Sequence, residues 1–82
     1  MKKERNFQLC EFGKVIKKRL VDLGKSQKWL TESIGVSGVT MHAYMKGKSQ
    51  PEMKNLYKIS TVLDINLVEL VEILLKEGNT EK

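Results

Sequence analysis

His42 and Cys10 are the single histidine and the single cysteine of the chain, and they set the limits of its chemistry. A reactive thiolate needs a base or cation beside it, and a metal site needs several ligands at short spacing. The two residues fall on different predicted helices, and no Cys, His, Asp or Glu group has ligand spacing. Neither of the common glycine-rich phosphate loops occurs. No catalytic residue, metal or cofactor is expected. Cys10 reads as a packing residue in an apolar-periodic stretch, and a lone thiol with no intramolecular partner fits a reducing compartment. His42 reads as a groove or solvent residue. The chemistry left to the chain is charge and hydrogen bonding.

The charge is unevenly placed. The 82 residues hold 15 Lys and Arg against 10 Asp and Glu, a net charge of +5. Residues 1–58 carry 13 basic and 5 acidic residues, a balance of +8, and residues 59–82 carry 2 and 5, a balance of −3. A basic excess confined to the first two thirds is the distribution that a polyanion-binding face needs. No run approaches the ~18 apolar residues of a membrane span. The first eight residues, MKKERNFQ, carry charge without the apolar stretch of a signal peptide. A cytoplasmic protein with no membrane partner is expected.

Helices must position these groups. Hydrophobic residues make up 40% of the chain and proline occurs once, a composition suited to a small helical bundle. A first helix is predicted from about Leu9 to Leu23, with Phe12, Val15, Ile16, Leu20 and Leu23 as its apolar stripe and Gly24 as its stop. Ser26 caps a second helix, about Gln27 to Ser33, with Leu30 and Ile34 facing inward and Trp29 half-buried. Gly35 makes a sharp turn, Val36 anchors it, and Ser37 caps a third helix over Gly38 to Lys46. In that helix Met41, Tyr44 and Met45 point inward, so Gly38, Val39, His42, Ala43 and Lys46 point outward. Gly47 stops it. Pro51 suits the first turn of a fourth helix carrying Leu56, Ile59, Val62 and Leu63. Asn66 and Glu69 form a capping-box-like start for a fifth helix reaching about Glu77. Residues 1–8 read as a flexible basic arm, 9–77 as the domain and 78–82 as a frayed tail. The arm, with Lys2, Lys3 and Arg5, has the charge to reach around a duplex or to serve as a solubilising tail.

The ordered set Ser26-Gln27, Leu30, Gly35-Val36-Ser37, Gly47-Lys48 and Pro51, continued by Leu56, Leu63 and Asp64-Ile65-Asn66-Leu67, resembles the phage-repressor type of helix-turn-helix domain, the lambda-repressor, Cro-like or Xre-type family. The likeness covers about residues 12–75. It implies an all-α, five-helix lambda-repressor-like bundle containing a helix-turn-helix, and a small transcriptional regulator that binds double-stranded operator DNA. Two departures stand out. Thr31 occupies a position that the family usually gives to Ala. Leu20 and Met45 occupy positions where the family often pairs an Arg with a Glu. Because both partners are apolar here, Leu20 and Met45 are expected to touch, since a lone buried charge costs roughly 3–5 kcal/mol.

By that resemblance the DNA-binding residues are Gln27, Lys28, Ser37, Gly38, Val39, Thr40, His42, Ala43, Lys46 and Lys48. Gln27, at the positive end of the second helix, is placed to donate to a backbone phosphate. Ser37 would do the same if capping did not occupy its hydroxyl. Lys46 and Lys48, with Lys28 a weaker third, lie where the family touches the sugar-phosphate chain. Bases would be read from Gly38, Val39 and Ala43, with Thr40 and His42 as the polar neighbours. That set is poor in hydrogen-bonding groups, so direct readout should be thin and DNA shape should carry much of the specificity.

The fifth helix is apolar on more than one face. Leu67, Leu70, Val71 and Leu74 suffice to close the bundle, which leaves Val68 and Leu75, with Ile73 at an edge, for a homodimer interface. Glu69, Glu72 and Glu77 suit a partner-facing or solvent side. The alternative function is a protein-interaction module that has the repressor fold but binds another protein, such as an anti-repressor or modulator.

Overall fold

The computed structural model describes residues 9–79. The basic arm over 1–8 and the last three residues, 80–82, lie outside the described residues. Five helices follow in order: α1 (Glu11–Leu23), α2 (Gln27–Ile34), α3 (Gly38–Lys46), α4 (Met53–Leu63) and α5 (Leu67–Asn79). No strand occurs among the described residues. No helix among them is long and apolar enough to cross a membrane.

Stops are written by backbone conformation. Gly24, Gly35 and Gly47 all take left-handed φ values of 69°, 79° and 78°, which glycine adopts without a side-chain clash. The fourth stop is Asp64, a non-glycine residue at φ 56°. The corner is held from α1: Arg19 Nε donates to Leu63 O at 2.7 Å, and the Arg19 guanidinium lies 3.9 Å from the exposed Asp64 carboxylate. The exposed end of α4 is thereby tied to α1.

The core is one cluster built from every helix: Phe12, Ile16 and Leu20 of α1, Leu30 and Ile34 of α2, Met41, Tyr44 and Met45 of α3, Leu56, Ile59 and Leu63 of α4, and Leu70 of α5. Leu20 and Met45 are both buried in it. Thr31 is buried too, and its hydroxyl donates to Lys28 O at 2.7 Å, so the extra polar atom relative to Ala is satisfied within its own helix.

Several expectations are corrected. Helix α1 begins at Glu11, not Leu9, because Cys10, which packs against the core as expected, is also its N-cap: Cys10 Sγ accepts from Gly13 N at 3.3 Å. Leu23, expected on the apolar stripe, is 38% exposed and stands outside the core cluster. Pro51 is buried but precedes α4, whose N-cap is Glu52 with no side-chain capping bond. Asn66 Oδ1 accepts from Val68 N at 2.8 Å, two residues on, in place of the four-residue capping box. Helix α5 runs on to Asn79, two residues past its expected end. Glu77 is half-buried and accepts from Phe12 N at 3.1 Å, so it satisfies the first turn of α1 instead of standing free on the solvent side.

Candidate nucleic-acid interface

The interface is built from two capped helices and the turn between them. Ser26 Oγ accepts from Trp29 N at 3.0 Å and starts α2. Its end folds back through two bonds to Thr31 O, from Gly35 N at 2.9 Å and from Val36 N at 3.2 Å. Half-buried Val36 packs against the core and fixes the turn. Ser37 Oγ then accepts from Thr40 N at 3.1 Å and donates to Thr40 Oγ1 at 3.0 Å. Both hydroxyls are engaged in the cap of α3, so Ser37 is a capping residue in the first instance, and the polar atom of Thr40 is turned back to the helix start.

The other end of α3 is held by α1. Met45 O accepts from Cys10 N at 3.0 Å and from the Cys10 thiol at 3.2 Å, and the thiol also lies 3.4 Å from Tyr44 O. Burial pushes the Cys10 thiol pKa up, more than the Gly13 N–H lowers it, and the Glu77 carboxylate adds to the rise. The thiol is therefore protonated near neutrality and serves as a donor. Gly47 closes the helix, with Lys48 N donating to Ala43 O at 2.9 Å. A side chain at Gly47 would have to take positive φ and would meet Cys10 Cβ at 3.1 Å.

Between these two anchors α3 divides cleanly. Met41, Tyr44 and Met45 are buried, and Asn55 Nδ2 donates to the Tyr44 hydroxyl at 3.1 Å. Gly38 and His42 are exposed, Val39 is 81% exposed, and Thr40, Ala43 and Lys46 are half-buried. Lys28 and Lys48 are exposed and Gln27 is half-buried at the first position of α2. Gln27, His42 and Lys46 come together on one hollow, whereas Lys28 and Lys48 do not line it. Lys17 of α1 lines the same hollow. Lys17 lies off the apolar stripe of α1, and helical periodicity says which face a lysine leaves but not which neighbour it meets.

On α5 the three residues assigned to a dimer do not share a face. Val68 and Leu75 are 61% and 64% exposed. Ile73 is half-buried and packs against the core. At 3.6 residues per turn it lies about 140° around the helix from Val68.

The helix-turn-helix family model matches residues 16–70, which spans α2, the turn, α3 and α4 with most of α1. The chain belongs to the helix-turn-helix family. This helix-turn-helix protein is also similar to the cryptic phage CTXphi transcriptional repressor RstR of Vibrio cholerae serotype O1, at 36% identity over 59 residues. The matched stretch is 67% of the chain and 53% of that relative, so the chain spans about half the length of the relative. No solved structure matches it significantly. The five-helix, strand-free architecture of the described residues agrees with the family.

Proposed function

We propose that this helix-turn-helix protein is a sequence-specific DNA-binding transcriptional repressor that works in the cytoplasm and uses α3 as its recognition helix. The observation that carries this reading is the division of α3. One side is locked into the core and both ends are capped, while the opposite side, with Val39 at 81% exposure, has nothing over it among the described residues. A rigid rod presented this way fits the major groove. Similarity to a protein named as a transcriptional repressor supports the regulatory role.

The reading surface is sparse in donors. Gly38, Val39 and Ala43 offer no side-chain polar atom, and Ser37 gives its hydroxyl proton to Thr40 Oγ1. His42 and the Thr40 hydroxyl proton complete the polar set of that face. Val39 supplies apolar contact, for which a thymine methyl is the complement. Specificity therefore leans on methyl contacts and on the shape and deformability of the operator. The protein acts as a homodimer through the exposed Val68 and Leu75 side of α5, with recognition helices about one DNA turn apart on a pseudo-palindromic operator.

A second reading is favoured by the same exposed valine. Val39 beside Ala43 is an apolar contact that a protein partner would also accept, which would make the chain a protein-interaction module. Fluorescence anisotropy against mixed-sequence duplex at low salt separates the two. DNA binding gives measurable affinity that falls steeply with salt, as phosphate contacts release counterions. Absence of binding at low salt rejects the repressor reading in favour of the interaction module.

A further inference from the structure

We infer that Lys17, on α1, is a phosphate ligand of the DNA interface, and that the hollow between α1, α2 and α3 seats one backbone phosphate. The inference rests on the DNA-binding reading above and deepens it.

Two hollows flank α1, and their linings differ in kind. The larger, about 390 Å³, mixes Lys18 and Arg19 with Asp22, Asp64 and Glu69. Its charges compensate one another, and Arg19 is already committed to Leu63 O and Asp64. The smaller, about 240 Å³, is lined by Leu9, Lys17, Gln27, His42, Met45 and Lys46. Two lysines, a glutamine and a histidine line it together with apolar Leu9 and Met45, and no carboxylate among the described residues lines it. An anion is the complement of that lining, because cations near a low-dielectric wall bind negative charge more strongly than they do in open water.

Position selects the anion. The hollow opens between the first residue of α2 and the His42–Lys46 edge of α3. When α3 lies in a major groove, the rim of the groove is a chain of phosphates, and such contacts fix register without reading sequence. Gln27 brings the positive end of α2 to the same place. Lys17 adds a charge from a third helix, so one phosphate would be held from three directions and α3 would be fixed in depth and tilt. Lys17 is exposed and makes no ion pair or hydrogen bond among the described residues, so the charge is available at no cost to the fold.

The test compares neighbours on one helix. Lys17→Gln and Lys18→Gln remove the same charge from adjacent positions that line different hollows. Anisotropy of a mixed-sequence duplex is measured against salt for wild type, both variants and Lys17→Arg. Lys17→Gln is expected to reduce the slope of log affinity against log salt by about 0.9 per bound protomer. Lys18→Gln and Lys17→Arg are expected to keep the wild-type slope. An unchanged slope in Lys17→Gln, or an equal fall in Lys18→Gln, overturns the assignment while leaving DNA binding intact. Failure of the wild-type protein to bind at low salt overturns both readings. Acetylation of the wild-type protein with and without duplex gives an answer that needs no variant: Lys17 should be protected and Lys18 not, and equal protection overturns the proposal.

Discussion

Gly13 of α1 lies flat against the carbonyl of Met45 at the end of α3, so close that a β-carbon at position 13 would overlap it. The atoms it would meet are all backbone of Met45, and they cannot yield without moving a helix.

Gly13→Ala is therefore expected to destabilise the protein by roughly 1–3 kcal/mol, the usual cost of forced overpacking. It does so although alanine gains about 1 kcal/mol of helix propensity over glycine. Gly38→Ala is the contrast: that glycine is also helical but has open space around its would-be β-carbon, so stability should hold or rise. Urea unfolding of the two variants checks the difference.

Cys10 is a cap and a donor, so serine should replace it better than alanine. Cys10→Ala is expected to cost about 0.5–2 kcal/mol, in the range of lost N-caps. The pH dependence has a definite sign. Burial raises the folded thiol pKa above its unfolded value, so the thiol contributes stability below the ordinary thiol pKa of about 8.5 and loses it as pH rises through the folded value. Wild type should lose stability above that range relative to Cys10→Ser. Thermal melts from neutral pH upward for the two proteins would show parallel curves if the thiol were not coupled to folding.

Leu20 and Met45 are 3% and 2% exposed, where the family often holds an Arg–Glu pair. Met45→Glu alone should cost roughly 3–5 kcal/mol as an uncompensated buried charge. Adding Leu20→Arg should recover part of the loss, with a coupling of about 0.5–3 kcal/mol if the two side chains meet. A double-mutant cycle by denaturant unfolding measures it.

On α5 the exposed and packed residues predict different failures. Val68→Asp and Leu75→Asp should weaken self-association without lowering the melting temperature of the monomer. Ile73→Asp should destabilise the fold itself, because it brings a charge against the core. Sedimentation equilibrium paired with thermal melts separates these outcomes, and unchanged association in the first two would remove the dimer surface from α5.

Val39→Ala should leave affinity for mixed-sequence duplex unchanged and lower the preference for a selected operator, with a loss of about 1–3 kcal/mol per disrupted base pair contact. Competition binding with the two duplexes reads the ratio directly.

Much of this was legible in the sequence because each helix ends on a residue whose physics is local. Gly24, Gly35 and Gly47 need no distant partner to explain them, and the inward set Met41, Tyr44 and Met45 follows from helical spacing alone. What escaped was non-local. Arg19 reaches Leu63 O across 44 positions, and Glu77 reaches Phe12 N across 65. Cys10 is not a usual capping residue, and only the presence of Met45 O and Gly13 N around it reveals the role. Gly13 looks like a mild defect in a helix until its neighbour is known. Ile73 failed for a related reason: its apolarity was read correctly, but the face it belongs to is decided by packing.

Helix α1 turns out to be a ruler. Its N-terminal end grips α3 through Cys10 and Gly13, and its sixth residue beyond Gly13, Arg19, grips the corner between α4 and α5. Those two grips stand about 9 Å apart along the axis at 1.5 Å per residue. One inserted residue between them would slide one grip by 1.5 Å and swing it by about 100°. In the proposed dimer, the phase between two half-sites would then be wrong even though every side chain of the proposed DNA interface was intact.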